Sequence, residues 1–401
     1  MYKKDTKTLT AVIFLIGVLA VVVHFANASP AAVHSQRSAT TYFAYVGTYT
    51  AVGGRRTGSE GIYLYRYNSN TAQFTPLGLA AKIENPTFMA IDPQHRFLYA
   101  VTEIGNLHGL NGSISSYAIN RTSGALTFLN EVSSEGGNPA HLVVDHTDKM
   151  LLVANFISGS VISFAINPDG SIGRKTGFDQ HEGSSVNPRR QKGPHAHAVV
   201  LSPDNRFVIV PDLGLDKVFV YRLKPNQATF VPNDPPYVTV PPGLGPRHFV
   251  FGARGKFGYL VCEMGSAVVA FSYDRAAGVL KRIQIISTLP EGFSGADNSA
   301  EIQIDPTGRF LYTSNRGNDS ITLFHIDPNN GELTKIQVTP TGGKIPRHFT
   351  IDPSGHFLIA ENQNSDDMVV FKLDADTGKL SPTAEIVKNP APVCLLFVPA
   401  P

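Results

Sequence analysis

The sequence predicts an all-β protein, a single seven-bladed β-propeller whose first blade is closed by the C-terminal strand. The first supporting observation is composition, because 36 Gly, 28 Pro, 9% aromatic and only 16% charged residues among 401 are typical of strands joined by tight turns. The second is an apolar hairpin phrase that recurs six times. The third is a polar turn that recurs seven times. Together these observations exclude a helical bundle.

The hairpin phrase sets the size of the blades. Its copies begin at Pro86, Pro139, Ala196, Pro246, Asn298 and Pro346, at separations of 53, 57, 50, 52 and 48 residues. Each copy has two runs rich in Val, Ile, Phe and Tyr around a turn such as Asp-Pro-x-Gly, which is typical of a β-hairpin. This period suits a four-stranded blade and is too long for ankyrin or leucine-rich repeats.

The polar turn gives the number of blades. Its copies begin at positions 68, 120, 167, 224, 274, 327 and 374. The missing seventh hairpin phrase is split between PVCLLFVP, which begins 46 residues after Pro346, and FAYVGTYT near the N-terminus. We therefore expect the last strand to complete the first blade and remove the free sheet edges. The chain has no Trp, which excludes the WD type of propeller.

The N-terminal segment is typical of a secretory signal. Three lysines precede the uncharged apolar run 11–23, and Ala26-Asn27-Ala28 then matches the pattern that signal peptidase favours. An uncleaved anchor is the weaker interpretation, because the run is shorter than the roughly 20 residues that span a bilayer. We predict a periplasmic or secreted protein with a signal peptide at 1–28, a flexible lead-in at 29–41 and the propeller at 42–401.

The net charge disfavours nucleic-acid and membrane partners, and the positions of the two cysteines disfavour a disulfide. Cleavage after Ala28 removes three Lys and one Asp, so the formal net charge falls from +2 to zero. A neutral chain has no general attraction to nucleic acid or to an anionic membrane. We expect the partner to be a small molecule. We also expect the protein to be a monomer. Cys262 and Cys394 fall in blades on different sides of the ring, so we predict two buried free thiols.

Two positions of the repeat carry polar residues that predict a site. The residue after each leading position forms a first ring: Thr87, Ala140, His197, Arg247, Ser299 and Arg347. Sixteen residues further lies a second ring: Glu103, Phe156, Glu263, Asn315 and Gln363, with Asp212 one residue out of register. Equal repeat positions lie at equal heights around a propeller axis, so we expect the rings to meet at one mouth of the channel. Arg316 directly follows the second ring.

These polar residues allow two interpretations. Arg247, Arg347 and Glu263 could form an ion-pair network that only fixes blade spacing. Their concentration in repeats three to six, together with His195 and Glu301, instead favours a ligand site. His141, His248 and His348 occupy the opposite face of the strand and are expected to bond neighbouring blades, whereas His195 precedes its strand and fits either role.

The catalytic motifs that the sequence lacks limit the reactions it is expected to catalyse. The sequence has no Gly-x-Ser-x-Gly, His-Glu-x-x-His, Gly-x-x-x-x-Gly-Lys or Gly-x-Gly-x-x-Gly motif, which disfavours serine-nucleophile and nucleotide chemistry. His195 and His197 could bind a metal with Glu263 or Asp212, but the adjacent arginines would repel a cation. We expect no metal and no cofactor. Arginines instead favour an anionic ligand, whose carboxylate or phosphate fits the guanidinium group.

Several motifs resemble the seven-bladed propeller lactonase family. They are YVGTYT, NPTFMAIDP, PHAHAVVLSPD, GPRHF, SNRGNDSITLF, PRHFTIDPSGHFL and ENQNSD, and the resemblance covers roughly residues 42 to 399. The family includes bacterial 6-phosphogluconolactonases and fungal carboxy-cis,cis-muconate cyclase, so the resemblance implies lactone chemistry without a required metal. By motif, it implies a catalytic group of His197, Arg247, Glu263 and Arg316.

Two loops and one residue depart from the family pattern. GGRRTGSEG and HEGSSVNPRRQKG look lengthened or altered, and Glu361 stands where the family commonly has a small residue. Loops that face the substrate are therefore expected to differ. An export signal also favours a lactone other than a cytoplasmic metabolite.

Three functions remain as hypotheses from the sequence. The leading one is a metal-independent lactonase for an anionic sugar-acid lactone at the mouth of the channel. Arg247 and Arg316, with Arg347 as a further candidate, hold the anionic group of the substrate and stabilise the oxyanion, and Glu263 or His197 is the general base. We expect substrate-binding residues at His195, Arg347, Glu301, Glu103, Asn315 and Gln363. The second is a cycloisomerase that closes an unsaturated acid into a lactone. The third is a non-catalytic propeller that binds a sugar acid or cell-envelope ligand.

Overall fold

Seven four-stranded antiparallel sheets make up nearly all regular structure in the computed structural model, which describes residues 40–106 and 109–401. Within those ranges the one helix is the 3₁₀ turn Pro225–Gln227, and none has the length and apolar character to cross a bilayer. The all-β prediction is confirmed. The predicted signal peptide at 1–28 and nearly all of the lead-in lie outside the described residues.

The first three blades follow the predicted repeat. Blade 1 contains β1 (Thr41–Thr48), a small hairpin of β2 (Ala51–Val52) and β3 (Arg55–Arg56), then β4 (Gly61–Asn68) and β5 (Gln73–Lys82). Blade 2 contains β6 (Met89–Ile91), β7 (Phe97–Thr102), β8 (Ser113–Ile119) and β9 (Leu126–Ser133). Blade 3 contains β10 (Pro139–Val144), β11 (Met150–Asn155), β12 (Ser160–Ile166) and β13 (Ile172–Gln180).

The remaining blades repeat the same strand order. Blade 4 contains β14 (Val200–Leu201), β15 (Phe207–Asp212), β16 (Lys217–Lys224) and β17 (Thr229–Thr239). Blade 5 contains β18 (Pro246–Phe251), β19 (Phe257–Cys262), β20 (Ala267–Asp274) and β21 (Val279–Ser287). Blade 6 contains β22 (Asn298–Ile304), β23 (Phe310–Arg316), β24 (Ser320–Ile326) and β25 (Leu333–Pro340). Blade 7 contains β26 (Pro346–Ile351), β27 (Phe357–Asn362), β28 (Asp367–Leu373) and β29 (Leu380–Lys388).

The last strand, β30 (Pro392–Pro399), closes the ring. It pairs antiparallel with β1 from Tyr42 opposite Pro399 to Thr48 opposite Pro392, and it is the inner strand of blade 1. The predicted closure of the first blade by the C-terminal strand is therefore confirmed. Because the two ends of the described chain pair with each other, the inner edge of blade 1 is not left open.

Hydrophobic burial follows the ring. The structure has seven buried apolar clusters, and each combines side chains from two neighbouring blades, including one cluster shared by blades 7 and 1. An apolar sheet face must pack against another element to leave water, and here each blade packs against the next. The core is thus a closed circle of interfaces.

At these interfaces, a tyrosine of one blade contacts the polar turn of the next blade. Tyr45 Oη of blade 1 donates to the carbonyl of Gly124 in the polar turn of blade 2, at 2.7 Å. Tyr99, Tyr259 and Tyr312 make the corresponding bond to the glycine carbonyl of the next blade. Gly124 has a φ of +75°, and a Cβ there would lie 2.6 Å from the ring of Phe43. The turn therefore requires glycine for both its conformation and the close contact.

The two cysteines are free, as predicted. Cys262 ends β19 in blade 5, Cys394 lies in β30 of blade 1, and both are fully buried. Burial raises the pKa of each thiol well above its usual range. Because the thiolate is the reactive form, neither cysteine should react with a water-soluble disulfide reagent in the native protein, and both should react in denaturant. Stoichiometric labelling of one thiol without denaturant would contradict this placement.

Candidate active site

All seven blades contribute to one polar pocket at a mouth of the channel. We call it the mouth pocket, and its volume is about 310 Å³. It is lined by Tyr49, Glu103, Asn138, Ala140, Phe156, Arg190, His197, Glu263, Asn298, Arg316 and Arg347. Members of the first predicted ring (Ala140, His197, Arg347) therefore meet members of the second (Glu103, Phe156, Glu263), as the repeat phase indicated.

A β-bulge at the start of the inner strand explains why polar residues occur in an apolar repeat. In blade 5 the register shifts between Pro246 and His248, which leaves Arg247 as an extra residue in the ladder. Corresponding shifts leave Ala140 in blade 3 and Arg347 in blade 7 as extra residues in their ladders. A bulge re-aims its extra side chain away from the regular alternation of the strand. Ala140 and Arg347 thus reach the mouth pocket, and Arg247 reaches Glu263, without interrupting the core face.

Glu263 is the centre of an arginine cluster. Its Oε2 lies 2.9 Å from Nη2 of Arg316 and accepts a hydrogen bond from Nε of Arg247 at 3.2 Å. Its Oε1 accepts a hydrogen bond from Nη2 of Arg190 at 2.6 Å. Burial alone would raise the pKa of Glu263, but the three guanidinium groups hold that pKa well below its usual range. Glu263 is therefore ionised at neutral pH and is a weak base.

Arg247 lies behind Glu263 and does not line the pocket. Its side chain is 2% exposed, and its Nη1 donates to the carbonyl of Ala300 at 2.7 Å. Burial, followed by repulsion from Arg316 and Arg347, lowers the pKa of Arg247 to about 9, which leaves it charged at neutral pH. The expected contact of Arg247 with a substrate stays a prediction, and in this structure its donors face Glu263 and Ala300. It positions the carboxylate.

His197 stands beside this carboxylate as a neutral imidazole. Its Nε2 is 3.8 Å from Oε2 of Glu263, and its buried Nδ1 has no hydrogen-bond partner. Burial, followed by the nearby Arg247 and His248, lowers the pKa of His197 well below its usual value of 6.5. In the tautomer that carries its proton on Nδ1, the neutral imidazole can accept a second proton at Nε2.

A second ionic group forms the opposite wall. Tyr49 Oη donates to Oε1 of Glu103 at 2.8 Å, and Thr87 donates to its Oε2. Arg347 places Nη2 3.6 Å from Oε2 of Glu103 and its guanidinium 5.1 Å from the centre of the Tyr49 ring. Burial would lower the pKa of Arg347, but Tyr49, Glu103 and Glu263 raise it overall. Arg347 is therefore a fixed positive charge.

The charges that line the mouth pocket do not cancel. Three guanidinium groups, those of Arg190, Arg316 and Arg347, line it together with two carboxylates, those of Glu103 and Glu263. Guanidinium groups bind carboxylate and phosphate in paired hydrogen bonds. The surplus of positive charge makes the pocket suited to an anionic ligand.

Three predicted substrate-binding residues lie outside the lining. Asn315 is fully buried and bonds Ser299 within blade 6, where the register shift comes after Ser299 rather than before it. His195 uses Nδ1 to contact the carbonyl of Phe156 and stacks on that ring. The amide of Gln363 donates to Asn364 in the adjoining turn. None of these three side chains lines the mouth pocket, and their contact with a substrate stays a prediction.

Glu301 also lies outside the lining of the mouth pocket and belongs to a buried cluster of histidines and carboxylates. Its Oε2 accepts from Nδ1 of His248 at 2.9 Å and lies 3.5 Å from Nε2 of His348. His348 in turn contacts Glu361 at 2.5 Å. Burial would lower the pKa of His348, but Glu361 and Glu301 raise it overall. His248 of blade 5 thus bonds Glu301 of the neighbouring blade 6, whereas the hydrogen bond of His348 to Glu361 stays within blade 7.

The sequence interpretation missed Tyr49 and Arg190. Tyr49 follows β1 in the split first repeat, which has no complete hairpin phrase for comparison. Arg190 lies in the altered loop HEGSSVNPRRQKG between β13 and β14, outside the repeat. The lengthened or altered character of that loop is the one sequence feature that could have indicated a role for Arg190.

The residues considered as an alternative metal site have other partners. Asp212 contacts Nδ1 of His181 at 2.6 Å and accepts a bond from the backbone of His195. In the described part of the chain, no group of three or more His, Cys, Asp or Glu side chains is placed to hold a metal ion.

Fold and site together define a seven-bladed β-propeller with a polar, arginine-rich pocket to which all seven blades contribute. Residues 43–397 match the family described as "Lactonase, 7-bladed beta-propeller", and the chain belongs to this family of lactonases. The chain is similar to a curated 6-phosphogluconolactonase from Bacillus subtilis (strain 168), with 35% identity over 90% of this chain and 99% of that protein. A 6-phosphogluconolactonase from Formosa agariphila is 34% identical over 76% of this chain and 85% of its own length.

A solved structure supports the same family. The periplasmic gluconolactonase of Pseudomonas aeruginosa is 35% identical, and its superposition covers 90% of this chain and all of that one with a TM-score of 0.84. The two proteins therefore share sequence along the blades as well as the same fold.

Proposed function

We propose that this protein is an exported lactonase that hydrolyses an anionic sugar-acid lactone in the mouth pocket, by a mechanism that needs no metal ion. The observation that carries the proposal is the neutral imidazole of His197 placed 3.8 Å from a carboxylate that is surrounded by guanidinium groups. The named activities of the relatives, 6-phosphogluconolactonase and gluconolactonase, support this substrate class. The proposed partner is a small molecule rather than nucleic acid, and the proposed state is a monomer.

Arg316 and Arg347 are placed to bind the reacting end of the lactone. Both line the mouth pocket, and their side chains are 13% and 16% exposed. Donors fixed before the reaction stabilise the negative charge that develops on a carbonyl oxygen when water attacks. In this account the two arginines hold that oxygen, while Arg247 and Glu263 hold the arginines and His197 in place.

His197 is the proposed general base. Water attacks the lactone carbonyl carbon and gives one proton to Nε2 of His197, and the positive charge that forms on the imidazole is stabilised by Glu263. The bond between the carbonyl carbon and the ring oxygen then breaks, and Nε2 returns its proton to that oxygen. The product is the open hydroxy acid, which releases one proton to solvent at neutral pH. Glu263 is the weaker candidate, because both its oxygens already bind arginines.

Export is proposed from the N-terminal sequence. The cleavage pattern at Ala26-Asn27-Ala28 supports it, and so does the periplasmic relative from Pseudomonas aeruginosa. Fractionation of cells that produce the full chain should recover a protein beginning at Ser29 outside the cytoplasm. Recovery of the uncleaved chain in the cytoplasm would contradict this part of the proposal.

A lactone panel tests the activity. We expect purified residues 29–401 to open gluconolactone or its 6-phosphate faster than the spontaneous reaction, with and without a strong chelator. A cycloisomerase would instead interconvert an unsaturated diacid and its lactone. A binding module would bind a sugar acid without turnover, and either result would overturn the proposal.

The pH dependence should identify the base. Because protonated His197 cannot accept a proton, kcat should fall as pH falls through the pKa of His197 in the complex. That pKa is lowered below 6.5, so activity should persist to a pH below the usual range of histidine. His197→Gln should reduce kcat by roughly 10²-fold or more and remove this acidic limb. An unchanged profile in the variant would exclude His197 as the base.

A further inference from the structure

Arg190 differs from the other arginines of the mouth pocket in position and in available donors. Its side chain is 41% exposed, against 13% for Arg316 and 16% for Arg347. Among residues 40–106 and 109–401, the guanidinium group of Arg190 has one hydrogen-bond partner, Oε1 of Glu263. A guanidinium carries five N–H donors, so most of the donors of Arg190 are available to a ligand.

The contacts of Glu263 show which side of the site Arg190 occupies. Arg247, Arg316 and His197 all approach Oε2 of Glu263. Arg190 instead approaches Oε1. The proposed reaction takes place beside His197, on the Oε2 side, whereas Arg190 approaches the other oxygen and is the most exposed of the three arginines that line the pocket.

The loop that carries Arg190 is held by buried contacts. Gln191 is fully buried, and its amide donates to the carbonyl of Leu213 at 2.9 Å and to Asp216 at 2.7 Å. The side chain of Asn187 accepts a hydrogen bond from the backbone N–H of Arg190 at 3.1 Å. The backbone beneath Arg190 is thus fixed before a ligand arrives, which reduces the entropy lost on binding.

We propose that Arg190 determines specificity by binding an anionic group, a phosphate or a carboxylate, at the end of the substrate remote from the lactone carbonyl. The inference rests on the proposed function and adds to it a preference for lactones that are charged at that end. In the free protein Arg190 pairs with Glu263, and in the complex it also binds the substrate anion in the paired geometry that a guanidinium favours. An uncharged lactone lacks this contact.

The test compares Arg190→Gln with Arg189→Gln. Arg189 is the exposed neighbour in the same loop and does not line the mouth pocket, so its variant removes the same charge without the proposed contact. The readout is the ratio of kcat/KM for the 6-phosphate of gluconolactone to kcat/KM for gluconolactone itself. A lactone of the matching dicarboxylic sugar acid forms a second arm, which distinguishes a carboxylate from a phosphate.

We expect Arg190→Gln to lower the ratio about tenfold, chiefly through KM, since a hydrogen bond to a charged group is lost at a partly exposed position. Arg189→Gln should leave the ratio unchanged, and Arg190→Lys should restore part of it. An unchanged ratio in folded Arg190→Gln, or an equal fall in Arg189→Gln, would overturn the inference while lactonase activity stands.

Product binding separates this inference from the proposed function. Calorimetry with 6-phosphogluconate and gluconate measures the same preference without turnover. If the wild-type protein opened no lactone, the proposed function would fail, yet a preference for the phosphorylated acid that Arg190→Gln abolishes would still support the role of Arg190. Equal affinities of the wild-type protein for both acids would overturn that role.

Discussion

Replacing Glu263 by glutamine is expected to lower kcat/KM for lactone opening by about 10²- to 10³-fold. The carboxylate lies 3.8 Å from Nε2 of His197, where an opposite charge contributes about 4 kcal/mol at an effective dielectric constant of about 20. That attraction stabilises the imidazolium that forms in the proposed mechanism. Glutamine has nearly the same shape but no charge, so the positive charge on His197 would face the arginines without compensation.

The same substitution should also destabilise the fold. Arg247 is 2% exposed and would lose its carboxylate partner, and an uncompensated buried charge costs about 3–5 kcal/mol. Activity must therefore be measured well below the melting temperature of the variant. Glu182→Gln, at an exposed position in the loop before Arg190, is the matched control and should change neither property. A folded Glu263→Gln protein with activity within threefold of wild type, roughly 0.7 kcal/mol, would exclude this role.

Removing the closing strand should abolish cooperative folding. A chain that ends at Ala391 lacks β30 and so lacks Val393, Cys394, Leu395 and Val398, which are at most 2% exposed. At about 1.5–3 kcal/mol for each buried side chain, the loss is comparable with the whole stability of a typical domain. The inner edge of β1 would also be open to pairing with other chains.

Size-exclusion chromatography and thermal melting would measure this effect. We expect the truncated chain to aggregate and to show no cooperative transition, whereas removal of Pro401 alone should leave both measurements unchanged. A monomeric truncated protein with a cooperative melt near that of the full chain would mean that blade 1 is stable without its fourth strand.

The sequence contained enough information to predict the ring and its closure. Repeat position also identified Glu263, His197 and Arg347, since equal positions lie at equal heights. It could not specify the direction of each side chain, which depends on the bulge. In blade 6 the register shift falls after Ser299, and this difference turns Ser299 and Asn315 into the blade. A shift of one residue in a ladder is not visible in the repeat.

Arg190 was missed for a different reason. It contributes to the site from a loop that has no counterpart in the other repeats, so comparison between repeats carries no information about it. Its contact with Glu263 depends on buried tertiary contacts of Gln191 with Leu213 and Asp216. These residues are separated in the sequence, and only the folded structure brings them into contact.

The most direct test of the account is the rate of acid release during lactone opening, measured at constant neutral pH. Purified residues 29–401 with the 6-phosphate of gluconolactone should accelerate the reaction well above its spontaneous rate, and the acceleration should saturate with substrate. A folded, monodisperse protein that left every lactone of the panel at its spontaneous rate would contradict the claim that the seven blades assemble a catalytic pocket.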